Sequence, residues 1–104
     1  MRLIIIESPY AGDRDRNEAY LRQCIRDSLN RGESPYASHA IIPGALDDSI
    51  PEERDKGIRA GYAWWKAADL IAFYVDYGMS PGMHKALQRA KTMQLRTEMR
   101  KICG

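Results

Sequence analysis

Leu70-Ile71-Ala72-Phe73-Tyr74-Val75-Asp76-Tyr77-Gly78-Met79-Ser80-Pro81-Gly82 reads as a buried strand, a turn and the start of a helix. An apolar run without polar alternation is the pattern of a strand covered on both faces, as in a parallel sheet. Asp76 to Met79 supply the turn. Ser80-Pro81 then opens a helix with a hydroxyl at the cap and proline at the first helical position, and Met83, Leu87 and Ala90 follow at inward-facing spacing. Leu3-Ile4-Ile5-Ile6 is a second buried strand, ended by the loop Ser8-Pro9-Tyr10-Ala11-Gly12. Asp15 and Glu18 form a helix start, and Leu21, Cys24, Ile25, Ser28 and Leu29 repeat at helical spacing until Gly32.

Between these two blocks, Tyr36 to Ile42 reads as a strand broken by Pro43-Gly44, and Ser49-Ile50-Pro51-Glu52 as a capping box for a helix from Pro51 to about Ala67. Met93, Leu95, Thr97 and Met99 alternate as a short last strand over 93–99. The order β-α-β-α-β-α-β predicts a small Rossmann-like, three-layer α/β fold with a parallel sheet of about four strands, in one domain across 1–104. In open sheets of this kind a ligand sits beyond the carboxyl ends of the strands. Those ends are 7–13, 43–48 and 76–82.

Composition sets limits on function. The chain has 104 residues, 44% of them hydrophobic and 29% charged, with a net charge of +2. That balance argues against nucleic acid or an anionic membrane as partner. The charge is uneven, because Lys85, Arg89, Lys91, Arg96, Arg100 and Lys101 face only Glu98 after position 83, and the plainest account is a solvated basic face. Cys24 and Cys103 are far apart and have no metal-ligand spacing, so neither a zinc site nor a disulfide framework is expected, and a reducing cytoplasm fits. No apolar run approaches a membrane span, and no cofactor signature is present.

Gly78, Ser80 and Gly82 at a helix start place backbone N–H groups and a hydroxyl beside the positive end of a helix dipole, a suitable cradle for a phosphate, although Ser80 is equally read as a plain cap. Gly-x-Ser-x-Gly also fits a hydrolase elbow, but His84 follows on the same helix and cannot complete a triad. Tyr10 can stack on a base or sugar, and Gly12 permits close backbone approach. Asp13, Arg16 and Asn17 open the first helix as ligand contacts or caps. Asp47, Asp48, Glu52 and Glu53 cluster as an acid/base or Mg²⁺ candidate, or as acidic residues favoured by the helix dipole. His39 reads as a hydrogen-bonded histidine at the core edge. Trp64 and Trp65 point about 100° apart on a helix, so one is expected in the core and the other on a partner surface.

Taken together, Ser8-Pro9-Tyr10-x-Gly12-Asp13, Leu46-Asp47-Asp48-x-x-Pro51-Glu52-Glu53-Arg54, Ala68-Asp69 and Gly78-x-Ser80-x-Gly82-Met83 resemble the nucleoside 2-deoxyribosyltransferase-like superfamily, in particular its short phage and bacterial branch. Distant similarity extends to the 2′-deoxynucleoside 5′-monophosphate N-hydrolases. The resemblance implies a Rossmann-like fold, a homodimer or higher homo-oligomer with sites completed by a neighbour, and a nucleotide whose phosphate lies at the Ser80 helix start. The ligand contacts it implies, with those read from the loops, are Ser8, Tyr10, Gly12, Asn17, Asp48, Gly78, Ser80, Gly82 and Met83. Where the family carries its catalytic glutamate this chain has Ala86, and the family's second carboxylate falls near Gly61. The expected function is therefore binding of a nucleoside phosphate or ADP-ribose-type molecule, sensed or sequestered without catalysis. Two alternatives are an N-glycosidase or deoxyribosyltransferase, with Glu7, Asp48, Glu52 or Glu53 supplying the missing acid, and a structural interaction module.

Overall fold

A computed structural model describes residues 1–37, 39, 45–47 and 49–103. Its elements are β1 (Leu3–Glu7), α1 (Arg14–Asn30), β2 (Ser34–Tyr36), α2 (Pro51–Trp65), β3 (Leu70–Tyr74), α3 (Pro81–Thr92) and β4 (Thr97–Arg100). The four strands form one parallel sheet in the order β2-β1-β3-β4. This is the expected small three-layer α/β fold.

Period-two alternation sorts the strand residues between the layers. Ile4, Ile6, Leu70, Ala72 and Tyr74 pack with Tyr20, Leu21 and Cys24 of α1 on one face. On the other face, Ile5, Ile71 and Phe73 meet Trp65 of α2 and Met83, Ala86 and Ala90 of α3. The chain runs from β1 outward to β2, then returns past β1 to β3. The carboxyl ends of β1 and β3 therefore flank the point where strand order reverses, the place where such sheets leave a crevice.

Element ends differ from the sequence reading for local reasons. The cap of α1 is Asp13, which accepts from the Arg16 N–H at 3.1 Å, two residues before the predicted start. At α2 the residue before the helix is Ile50, with no side-chain cap. Proline restricts its predecessor to extended backbone, as a cap residue must be, and Ile50 (φ −96°, ψ 116°) occupies that place. Ser49 instead donates its N–H to Asp47 Oδ1, so no capping box forms. β2 begins earlier than predicted, at Ser34, and includes Pro35, which an edge strand tolerates. Of the predicted continuation to Ile42, all but Ala37 and His39 lies outside the described residues.

α3 ends in a Schellman turn, with Leu95 N–H on Ala90 C=O and Gln94 N–H on Lys91 C=O, so Met93 and Leu95 finish a helix and β4 starts only at Thr97. Trp64 and Trp65 divide as expected. Trp65 is buried and Trp64 exposed, the latter resting on the Tyr36 ring with centroids 5.0 Å apart. The basic C-terminal segment is not uniformly solvated, since Arg100 is buried against Glu33 and Arg89 stacks over the Tyr62 ring.

Candidate functional site

At the reversal point lies a cavity of about 460 Å³. That volume falls within the range of small-molecule sites. Its floor is the end of β1 and the loop beyond: Glu7, Ser8, Tyr10 and Ala11. One wall is the start of α3, with Ser80, Pro81, Gly82, Met83 and Ala86. The other is α2, which contributes Arg54, Gly57, Ile58, Gly61, Tyr62 and Trp65, and Leu46 and His39 complete the rim.

The α2 wall is open because two glycines stand four residues apart on one helix face. Each costs roughly 0.5–1 kcal/mol of helix stability relative to alanine, and together they leave a groove between Arg54 and Trp65. Aromatic rings are part of the lining. Tyr62 meets Trp65 edge-on at 4.8 Å, and Tyr10 faces His39 edge-on at 6.4 Å.

Two of the lining groups are unusual in charge. Glu7 follows Ile5 on the α2/α3 face of β1. It makes no hydrogen bond or ion pair with the described residues, and burial pushes its carboxyl up to about 8, so it is protonated at neutral pH. His39 shares a 2.9 Å hydrogen bond between its Nε2 and Ser8 Oγ, and burial brings the imidazole down to about 4, so it is neutral. Arg54 is the one Lys or Arg side chain among the described lining residues.

The α3 start carries fewer free donors than the sequence suggested. Ser80 is the cap, its Oγ accepting from Met83 N–H at 3.2 Å, and His84 N–H is taken by the Ser80 carbonyl. Proline has no N–H. The Ser80 O–H and the Gly82 N–H remain, with the helix dipole behind them. A methyl group at Gly82 would meet nothing nearer than Ser80 Oγ at 4.0 Å, so there is room for a ligand atom at that point.

Of the ligand residues expected from sequence, Ser8, Tyr10, Ser80, Gly82 and Met83 line the cavity, although Met83 and Ser8 are themselves nearly fully buried. Gly12 and Gly78 do not line it. They hold positive φ of 101° and 80°, which suits them to the turns of the first and third loops. Asn17 also lies outside it, buried and donating to the Tyr10 and Ala11 carbonyls, so that it fixes the loop bearing Tyr10. Among the acidic candidates, Glu7 alone is in the cavity. Glu52 is exposed on the first turn of α2, Glu53 accepts from the Asp47 N–H, and Asp48 lies outside the described residues. Ala86 and Gly61 both face the cavity.

Sequence reading passed over Arg54 and Tyr62 and set His39 aside. The signal for the first two was present in the Gly57/Gly61 spacing, which marks a helix face cleared for something other than packing. Among the described residues no cluster of three His, Cys, Asp or Glu side chains is arranged to hold a metal ion, and no helix is long and apolar enough to cross a membrane.

A family model matches residues 2–100. The chain belongs to the DUF7768 family, a domain of unknown function. No curated protein matches it. In this DUF7768 domain the cavity is thus defined by its own chemistry: the N-terminal turn of α3, an arginine, a set of aromatic rings and a neutral carboxyl.

Proposed function

We propose that this DUF7768 domain binds a nucleoside phosphate in the cavity at the β1/β3 reversal, and holds it without cleaving it. The observation that carries the reading is the charge of the lining: at neutral pH Glu7 and His39 are uncharged and Arg54 carries a guanidinium, so an anion meets attraction from Arg54 and the α3 dipole and, among the described lining residues, no ionised carboxylate. Ser80 Oγ, already accepting from Met83, keeps its proton for a phosphate oxygen. Tyr10 and Tyr62 offer ring surface for a base, with Trp65 backing Tyr62 from the core. Ala86 and Gly61, where the resemblance to deoxyribosyltransferase-like proteins puts two carboxylates, present no group able to attack a sugar carbon or stabilise a cationic one. An exposed Trp64 beside Tyr36 is compatible with a homo-oligomer.

Calorimetry with deoxynucleoside monophosphates tests this. Expected is saturable binding of at least one, weakened by Ser80→Ala and by Arg54→Met. Absence of binding for all of them at millimolar ligand ends the proposal.

A second reading rests on Glu7 itself. A carboxyl still protonated at neutral pH is placed as a general acid, able to protonate a leaving base in N-glycoside cleavage. Free base released by the wild type, and lost in Glu7→Gln, would favour it over simple binding.

A further inference from the structure

Glu7 is the one acidic side chain among the described residues lining the cavity, and no described protein group satisfies it. Glu7 is half-buried and lines the cavity, so a ligand seated there can supply the partner that its carboxyl does not find in the described protein. Resting on the nucleotide reading above, we propose that the Glu7 carboxyl is the specificity-determining contact for the base, donating its proton to a ring-nitrogen acceptor of adenine or cytosine and accepting from the neighbouring amino group. Its position fits that role. Glu7 shares the cavity with Tyr62 and Tyr10, whose rings suit a planar base, while Ser80 and Gly82 stand on the α3 wall where the phosphate would be held.

The chemistry of the edge makes the contact depend on protonation. A neutral carboxyl offers one donor beside one acceptor, and so matches any base edge that sets an acceptor beside a donor. An ionised carboxylate offers acceptors only. It matches two adjacent donors, which guanine presents through its ring N–H and amino group, and it repels the ring-nitrogen lone pair of adenine or cytosine. Titration between neutral and mildly alkaline pH therefore converts a site that takes adenine into one that refuses it and retains guanine.

The other charged groups around Glu7 do not change over that interval. His39, on the segment after β2, is neutral throughout, as burial holds it near 4. α2 contributes the Arg54 guanidinium and Tyr62, which is held protonated by burial and by the charge of Glu7. From α3, the Arg89 guanidinium lies over a face of the Tyr62 ring. Tyr10 completes the lining from the first loop.

The test is calorimetric binding of deoxyadenosine and deoxyguanosine monophosphates to the intact chain at about pH 7 and about pH 9. The phosphate is common to both ligands, so its own titration cancels in their ratio. Expected is a loss of about tenfold or more in affinity for the adenine nucleotide relative to the guanine nucleotide on going to the higher pH. Glu7→Gln, whose amide keeps one donor beside one acceptor, is expected to bind the adenine nucleotide equally at both pH values. Glu7→Met is expected to bind it more weakly and without pH dependence, with thermal unfolding of each variant showing that it is folded. Parallel changes for the two nucleotides in the wild type, or a pH-dependent ratio that survives in Glu7→Gln, overturn the base contact and leave nucleotide binding standing. No binding of either nucleotide at either pH overturns the nucleotide reading beneath it.

Discussion

Arg100 and Glu33 are joined by two parallel hydrogen bonds of 2.8 Å, with both side chains almost wholly buried. Glu33 is the residue after Gly32 in the Schellman turn that ends α1, its N–H bonded to the Ser28 carbonyl, and Arg100 is the last residue of β4. The pair ties the end of α1 to the far edge of the sheet. Ser28 Oγ, Arg2 and the Tyr74 hydroxyl complete the network. Arg100→Met leaves a buried carboxylate short of its main partner and is expected to cost about 3–5 kcal/mol. Urea unfolding measures it. The double variant Glu33→Leu/Arg100→Met is expected to recover much of that loss, and a double variant no more stable than the single one would contradict this account.

The same network sets the acid limit. The Arg100 hydrogen bonds hold the Glu33 carboxyl down to about 2 from an ordinary 4.5, so its contribution is present above pH 4.5 and disappears as pH falls toward 2. Acid unfolding monitored by circular dichroism is expected to lose this pH dependence in Glu33→Gln.

Glu7 acts in the opposite sense. Its folded-state value is raised from 4.5 to about 8, so the folded chain stays protonated where the unfolded chain ionises, and stability falls as pH rises from 4.5 through 8. Buried His39, lowered from 6.5 to about 4, makes stability fall as pH drops over that lower interval. The two slopes offset each other between pH 4.5 and 6.5, and the Glu7 slope stands alone above 6.5. Glu7→Gln is expected to be more stable than wild type at pH 8 by on the order of 2 kcal/mol, with the difference vanishing near pH 4.5. Denaturant midpoints across this range check the sign.

Two helices end in the same turn with different residues at its left-handed position. α1 uses Gly32 at φ 79°, whereas α3 uses Gln94 at φ 57°. A side chain there costs about 1 kcal/mol, so Gln94→Gly is expected to raise the melting temperature by a few degrees. Unchanged or lowered melting would mean that the Gln94 side chain contributes elsewhere.

Gly57 and Gly61 keep the α2 wall open. Gly57→Ala is expected to stabilise the helix by up to about 1 kcal/mol while weakening nucleotide binding, because the added methyl projects into the groove. Thermal melts and calorimetry on one preparation separate the two effects. A variant that binds as well as wild type would remove Gly57 from the site.

Most of the layer structure could be read from the chain, because Leu3 to Ile6 and Leu70 to Val75 are unbroken apolar runs and Ser80-Pro81 is an unambiguous helix start. What escaped was local or long-range. Asp13 replaced Asp15 as a cap because cap choice depends on loop geometry, and Met93 to Leu95 alternate like a strand but close a helix through one left-handed residue. The partial burial of Glu7, without an ion pair among the described residues, follows from how β1, α2 and α3 converge, which no linear pattern reports. The pairing of Ser8 with His39, separated widely along the chain, is hidden for the same reason.

β2 is brief, half-buried and interrupted by Pro35 at the border of the sheet. An unprotected border of that kind invites another polypeptide to extend the ladder, and a ring nitrogen without hydrogen denies the newcomer a rung. Copies of this molecule that associate are thereby steered away from lateral sheet growth at Ser34–Tyr36 and toward contacts between helical surfaces, where Trp64 is exposed over Tyr36.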